Sequence, residues 1–449
     1  MKWMGKKKIV RIARQAIVMA LKAGADEVEV VGCNTTEEVT RFANSSIHQN
    51  VSLSDSLFQV RVVCDKRIGI ARVNQWSKSG AKRAVSAAVE LSRWQKKDKY
   101  FSGLPGKSRY RKTGDYLKDR HLGEGGRAEA VAAVVGLGNA NNLSGSGAFA
   151  EVDEEIAVIN SRGVEAYHRG RRASFSVIFT GAKGSGFSSQ SARGGCDIDC
   201  MNVAKNSIAK ATDEEEVEVM PGVYEVILEP EAVAELMDFF AWLGPNSRVF
   251  HEDVSFFAGK VGKKAFSSLL SVTDDPFHPG GYPMSFDLEG VAKGKLQIVK
   301  DGVVKGLTYD SYHAGKYGAE NTGHALLAPN TWGPIPSNLV IGGGASSLRE
   351  MISSVEHGIL VTRFWYTRVV HHKRLVLTGM TRDGTFLITG GKIIGRVKNL
   401  RYTESIVDAF SKVVGVGKEH KLVASEGSFC LVPALHISKF RFSGITEHK

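Results

Sequence analysis

The chain has few of the features that usually identify an enzyme or place it in a compartment. Five cysteines, Cys33, Cys64, Cys196, Cys200 and Cys430, are scattered through 449 residues. An odd number without repeating spacing gives no disulfide framework, and a reducing cytoplasm fits that usage. Cys196-Asp-Ile-Asp-Cys200 is followed by no second Cys/His pair at finger-like spacing, which excludes the usual structural zinc module. There is no Gly-x-Ser-x-Gly elbow, so serine-hydrolase chemistry has no support. The single His-Glu pair, His251-Glu252, is followed by Ser255 and Phe256 where a zinc helix would place its second histidine. His371 and His372 are adjacent and point apart in either helix or strand. No segment reaches the roughly 20 apolar residues of a membrane span. Lys6-Lys7-Lys8 precedes an apolar stretch, but Arg11 and Arg14 interrupt it and no cleavage site follows, so a helix is expected there and not a leader peptide.

What is present describes a globular protein. Apolar residues make up 43% and charged residues 24% of the chain, ordinary values for a packed domain. At this length two domains are the natural expectation. Lys and Arg number 59 against 47 Asp and Glu, a net +12. That favours acidic partners, though the basic side chains are dispersed and form no single block.

Periodicity gives the coarse fold. Ile9, Ile12, Ala13, Ala16, Ile17, Ala20 and Leu21 make a helical stripe that stops at Gly24. Strands are predicted over Glu27–Val31, Leu57–Cys64 and Ile68–Val73, the last two joined as a hairpin at Asp65-Lys66-Arg67. Ala81, Ala84, Val85, Ala88 and Leu91 form a second amphipathic helix. Phe101–Arg127 lacks periodicity and reads as a loop. Gly136–Gly147 has the look of a phosphate loop without its Lys-Ser/Thr ending, and is predicted to be a flexible turn. A hairpin over Glu155–His168, a separate strand over Ser174–Thr180 and a helix over Asn202–Ala211 come next. The acidic run Asp213–Glu218 suits a boundary. Beyond it, Asp301-Gly302 and Gly390-Gly391 are hairpin turns, Ser347-Leu-Arg-Glu350 is a capping box, and Glu404–Val414 reads as the last helix. The prediction is an α+β protein. Residues 1–218 form an N-terminal α+β domain of antiparallel strands and amphipathic helices. Residues 219–449 form a mostly antiparallel β domain, barrel-like or a sandwich.

The stretch Pro221–Gly262 organises the rest. Val223–Leu228 has strand character, and Pro230 opens a helix where its missing N–H costs nothing. Val233, Leu236, Met237 and Phe240 give that helix an apolar face. Its first turn, Pro230-Glu231-Ala232-Val233-Ala234-Glu235, resembles the His-Glu-x-x-x-His metal motif of the TldD half of the TldD/PmbA family. Pro230 stands at the first histidine and Glu235 at the second. Further blocks carry the same resemblance: Arg41-Phe42-Ala43-Asn44-Ser45, Phe286-Asp287-Leu288-Glu289-Gly290-Val291, Gly323-His324, Thr362-Arg363-Phe364-Trp365-Tyr366-Thr367-Arg368, Thr378-Gly379-Met380-Thr381-Arg382-Asp383-Gly384 and Val397-Lys398-Asn399-Leu400-Arg401-Tyr402-Thr403. The last three look more like the PmbA half.

The resemblance implies a role in proteolysis of unfolded peptides. It implies a heterodimer enclosing a chamber, in which a TldD-type partner carries zinc and a TldE-type (PmbA) subunit holds no metal. The family is also named a modulator of DNA gyrase. The vestigial positions Pro230, Glu231 and Glu235 then leave this chain with no metal ligands and no catalytic residue of its own. The family's third ligand, a Cys near the C-terminus, has no counterpart, because Cys430-Leu431-Val432-Pro433 does not match that motif. The plainer reading of Glu231 itself is an acidic first-turn residue favoured by the helix dipole. Arg363, Tyr366, Arg368, Arg382 and Asp383 are the candidates for lining the substrate chamber. Strand alternation would place Arg363, Trp365 and Thr367 on one face and Phe364, Tyr366 and Arg368 on the other. The plainer reading is a buried Arg382–Asp383-type network that fixes the domain. Two rivals stand beside the subunit reading: a basic nucleic-acid-binding protein and a stand-alone hydrolase with an unrecognised site.

Overall fold

The computed structural model describes residues 3–113, 120–182, 184–211, 215–424 and 428–446. Asp213 and Glu214 of the acidic boundary, and 114–119 of the predicted loop, lie outside the described residues.

The N-terminal half is one long antiparallel sheet with helices on one side. Its strands are β1 (Glu27–Ala43), β2 (Ser46–Cys64), β3 (Arg67–Val73), β4 (Ser144–Asn160), β5 (Glu165–Thr180) and β6 (Ser185–Ala192), in the order β3-β2-β1-β4-β5-β6. The helices are α1 (Lys6–Lys22), α2 (Lys78–Trp94), α3 (Gly123–Ala140) and α4 (Cys200–Lys210). The stripe of α1 and that of α2 pack on Val28, Val30, Phe58, Val60, Val62, Ala157 and Ile159. At the other end α3 and α4 pack on Phe42, Phe149, Phe175, Val177 and Phe179. The even positions of β1 and the odd positions of β4 appear in both clusters, so all four helices cover the same face. The opposite face carries Val31, Ile156, Val158 and Ala166, and it meets Phe286 of the C-terminal half.

Several elements differ from expectation for local reasons. Gly136 and Gly138 lie inside α3, not in a turn. A Cβ at 138 would sit 2.1 Å from the Phe179 ring, so this glycine allows a helix to approach a strand. Ser174–Thr180 is the continuation of β5, whose polar middle hid the join. Likewise β1 extends well past Val31, because its distal part pairs with both β2 and β4 although it is only partly buried.

The C-terminal half contains two further sheets around one helix. The elements run β7 (Glu216–Val217), β8 (Gly222–Leu228), α5 (Pro230–Leu243), α6 (Ser247–His251), β9 (Val272–Asp274), β10 (Leu296–Lys300), β11 (Val303–Val304), α7 (Ser311–Tyr317), β12 (Asn338–Ile341) and α8 (Leu348–Ser353). They continue as β13 (His357–His371), β14 (Val376–Thr389), β15 (Lys392–Val397), β16 (Leu400–Ser405), α9 (Ile406–Ser411), β17 (Val413–Val416), β18 (Lys421–Ala424), β19 (Phe429–Val432) and β20 (Leu435–Ile445). One sheet has the order β11-β10-β9-β12-β19-β18. The other runs β13-β8-β20-β16-β14-β15-β7 and returns on itself because β13 also pairs β14. This ring of five strands, with β7, β15 and β17 at its margins, keeps to the mostly antiparallel β domain expected without closing into a clear barrel. Most pairs are antiparallel; β13–β8, β12–β19 and β15–β7 are parallel. The predicted helix Glu404–Val414 shrinks to α9, since β16 runs to Ser405, whose hydroxyl then caps the helix.

Helix α5 is the centre of the C-terminal core. Val233, Leu236, Met237 and Phe240 are fully buried, with Phe240 against Phe256, Phe257, Phe266 and Phe410. Each such side chain contributes about 1.5–3 kcal/mol of burial. Both hairpin turns form as predicted, with Asp301, Gly302, Gly390 and Gly391 all at positive φ. The Ser347–Glu350 capping box is reciprocal. Among the described residues no helix is long and apolar enough to cross a membrane.

Candidate functional site

Strand β6 gathers the candidate residues. Its odd positions share a face, and that face looks into the C-terminal half. Ser185 Oγ donates to Asp383 Oδ1 at 2.6 Å, Phe187 lies under the Arg363 guanidinium at 4.2 Å, and Ser189 Oγ donates to Glu231 Oε1 at 3.2 Å. The first turn of α5 and the arginine cluster therefore belong to one seam.

At one end of the seam Pro230 occupies the first position of α5 and presents no donor atom. Glu231 is buried and its Oε1 accepts from Lys421 Nζ at 2.5 Å. Burial alone would push this carboxyl up, but Lys421 and Lys210 outweigh it and hold it below the ordinary range. Lys210 itself pairs with Glu229. These groups line a cleft of about 560 Å³ together with Gln190, Asn202, Asn206 and His420. Lys421, Lys210 and Ser189 carried no signal in the sequence. Lys421 is 190 residues from Glu231, and only the fold brings it there.

Glu235, one turn on, faces different company. Burial and Asp238 raise its carboxyl, while Thr367, Arg363 and Arg368 act the other way. The Thr367 hydroxyl also lies 3.0 Å from Tyr402 Oη. Cys430 sits on β19, fully buried; burial and Asp238 push its thiol up, so it is a neutral core group.

At the other end Asp383 is buried and holds Arg363 through both Nε, at 3.0 Å, and Nη2. Arg382 Nε stands 3.8 Å from the same carboxylate. Trp365 lies between Arg363 and Arg382, whose guanidinium carbons are 5.4 and 5.1 Å from its ring. The predicted alternation fails here. A bulge between Trp365 and Arg368 puts Tyr366 at φ 56, so Phe364 and Thr367 are buried while Trp365 and Tyr366 both reach solvent. Arg368 stacks on the Tyr366 ring at 4.3 Å. Arg363 and Asp383 thus form the structural network, and Trp365, Tyr366, Arg368 and Arg382 offer an accessible cationic-aromatic surface beside it.

Among the described residues one cluster has the composition of a metal site, Glu38, His121 and Glu151. The Arg127 guanidinium already bridges its two carboxylates, at 2.7 and 2.9 Å. It stands on the helical face of the first sheet, away from the β6 seam.

This architecture, with a helix-covered antiparallel sheet joined along β6 to a β-rich half built round α5, is that of a known group. The chain belongs to the PmbA/TldD metallopeptidase family. Models described as PmbA/TldA metallopeptidase domain 1, central domain and C-terminal domain match residues 28–92, 126–217 and 221–444 in succession.

Particular relatives are distant. The metalloprotease TldD homolog of Buchnera aphidicola is 25% identical over 209 residues, covering 46% of this chain and 43% of that protein. A metalloprotease of Methanothermobacter thermautotrophicus is 25% identical over 203 residues, 45% of this chain and 44% of that one. The matches thus span less than half the length of these two curated relatives. The crystal structure of TldE from Thermococcus kodakarensis superposes with a TM-score of 0.89 at 21% identity, covering 96% of this chain and 100% of that one. At that identity the likeness establishes the fold.

Proposed function

We propose that this chain is a TldE-type subunit: it holds no metal and completes a peptidase for unfolded peptides together with a zinc-bearing TldD-type partner. The observation that carries the reading is the state of α5. A peptidase zinc needs three protein ligands and an open position. At the corresponding helix the Pro230 side chain has no lone pair to give, and Glu231 already accepts from Lys421 and Ser189. Glu235 turns to Thr367. An ammonium ion supplies the positive charge that Glu231 requires, and this donor set does not fit zinc. No hydrolytic step is therefore assigned to these residues.

What the chain contributes instead is surface. The exposed rings of Trp365 and Tyr366, with Arg368 and Arg382 against them, offer stacking faces and guanidinium donors for the carbonyls and carboxylates of an extended peptide. The test is co-expression with a TldD-type protein, then size exclusion and cleavage of unfolded peptides. The expected result is a complex that cleaves and is silenced by chelation, with neither chain active alone. A chain that elutes unchanged beside the partner, or that cleaves alone in the presence of chelator, overturns the reading.

A further inference from the structure

The first sheet has two edges, and they differ. Strand β6 is covered by the C-terminal half along the seam. At the other side β3 is short: it pairs β2 only from Phe58, opposite Val73, to Cys64, opposite Arg67. The rest of β2, Ser46–Leu57, pairs with β1 on its inner side. Among the described residues no strand pairs with its outer side.

The backbone of this stretch is turned outward. The Ser56 N–H points away from β1 and is met by Asp55 Oδ1 at 2.8 Å. In an antiparallel strand alternate residues aim their N–H and C=O at the same neighbour. The register from Asn50 to Ser56 is unbroken, so Asn50, Ser52 and Ser54 present their groups on the same outer side as Ser56. All three are exposed. Proteins blunt a free edge with lysine, with proline or by keeping it short. Ser46–Leu57 has no lysine, arginine or proline, and Asp55 is its one carboxylate. On the face away from the helices it carries Val51 and Leu53, the latter 62% exposed. An edge this long and this weakly charged is a seat for another strand.

The shape of the opening selects the occupant. It is bounded at one end by the Asn44-Ser45 turn and at the other by β3. A second copy of the same stretch, run antiparallel about a two-fold axis at Ser52, fits between those limits. Such an axis stands perpendicular to the sheet, so each face of one copy continues the same face of the other. Leu53 of each copy then lies opposite Val51 of the other, an apolar cross-strand pair formed twice. Asn50 lies opposite Ser54, and Ser52 faces itself. Asp55 falls opposite Gln49, which leaves the two carboxylates about 20 Å apart along the strands, too far to repel through salt.

We propose that Ser46–Leu57 of β2 is a dimerisation edge, joining two copies of this chain into one continuous sheet through main-chain hydrogen bonds centred on Ser52. The inference concerns the chain by itself and is independent of the peptidase reading. The test follows the full chain alone by analytical ultracentrifugation over a range of concentrations, with amide hydrogen exchange of residues 46–57 measured alongside. A dimer is expected, and exchange across 46–57 is expected to slow as it forms. Ser52→Pro removes an N–H that β1 does not use, so Tm of the monomer is expected to hold. Each copy then loses the hydrogen bond it gives across the axis, and the dimer is expected to weaken by about tenfold or more. Leu53→Lys, at an exposed position, brings like charges to diagonal places across the axis and is expected to weaken it as well. A monomer at every concentration overturns the proposal whether or not the variants fold. So does a dimer that both Ser52→Pro and Leu53→Lys leave intact. A monomer whose 46–57 amides are protected only when an unfolded peptide is added assigns the edge to that peptide, and equally overturns it.

Discussion

Lys421 Nζ lies 2.5 Å from Glu231 Oε1, at the turn of α5 where the family resemblance puts a metal motif. Replacing Lys421 by Ala leaves a buried carboxylate with one fewer cation. A loss of about 1–3 kcal/mol is expected, tempered by the part of Lys421 that reaches solvent. The pH dependence has a definite sign. The folded Glu231 carboxyl is held below its ordinary 4.5, so its contribution is full above that pH and is lost as the medium acidifies further. In Lys421→Ala that acid-side loss is expected to shrink. Chemical denaturation between pH 3 and 7 measures it; an unchanged profile excludes Lys421 as the cause.

Metal content is a direct check on the subunit reading. Elemental analysis of the purified chain is expected to find zinc well below one ion per molecule, and chelation is expected to leave Tm unchanged. A stoichiometric ion lost together with stability would mean that donors elsewhere in the chain had been overlooked.

Asp287 moves in the opposite direction to Glu231. Its folded value, about 7 against an ordinary 3.8, means that the native state binds a proton the unfolded chain has released. Its effect on stability is therefore full below about pH 4 and is lost as pH rises to 7. Asp287→Asn is expected to flatten that slope. It also costs about 1–3 kcal/mol at all pH values, because an amide N–H would face the Ala325 N–H that Asp287 Oδ2 now accepts. Denaturation midpoints at pH 5 and 8 separate the two effects.

Asp383→Ala is expected to be the most damaging single change along the seam. It strands the Arg363 guanidinium and removes the acceptor of Ser185, at a cost of about 3 kcal/mol or more. Ser185→Ala loses one hydrogen bond and is expected to cost about 1 kcal/mol. Comparable losses for the two variants would show that the ion pair contributes little.

Tyr366 offers the cleanest separation of stability from use. A non-glycine residue at φ 56 costs about 1–2 kcal/mol, and its ring is exposed apart from its contact with Arg368. Tyr366→Gly relieves that strain and loses the stacking, so stability within about 1 kcal/mol of the parent is expected. Peptide cleavage by the complex is expected to fall. Unchanged cleavage would remove Tyr366 from the substrate surface.

The features legible in the sequence were those set by neighbours a few residues apart. Pro230 at the start of α5, the turns at Asp301-Gly302 and Gly390-Gly391, and the Ser347–Glu350 box all arise from local backbone chemistry, and all stand as expected. Readings that needed a distant partner did worse. Gly138 looked like a loop residue because its reason, the Phe179 ring, lies in another strand. The face assignment from Arg363 to Arg368 was upset by one residue, since a bulge at Tyr366 inverts a period-two pattern beyond it. Lys421 and Ser189 belong to no motif, and pairings across 190 and 42 residues leave no local trace.

The joining of the two halves along β6 has a mechanical consequence. Prising them apart would strip Glu231 of Ser189 and Asp383 of Ser185 in the same movement, and would pull Phe187 from beneath Arg363. A swinging jaw is thus a poor picture of this molecule. If the proposed complex forms, rigid docking of this chain is the expectation, with the moving parts sought in the partner or in the joint between the two.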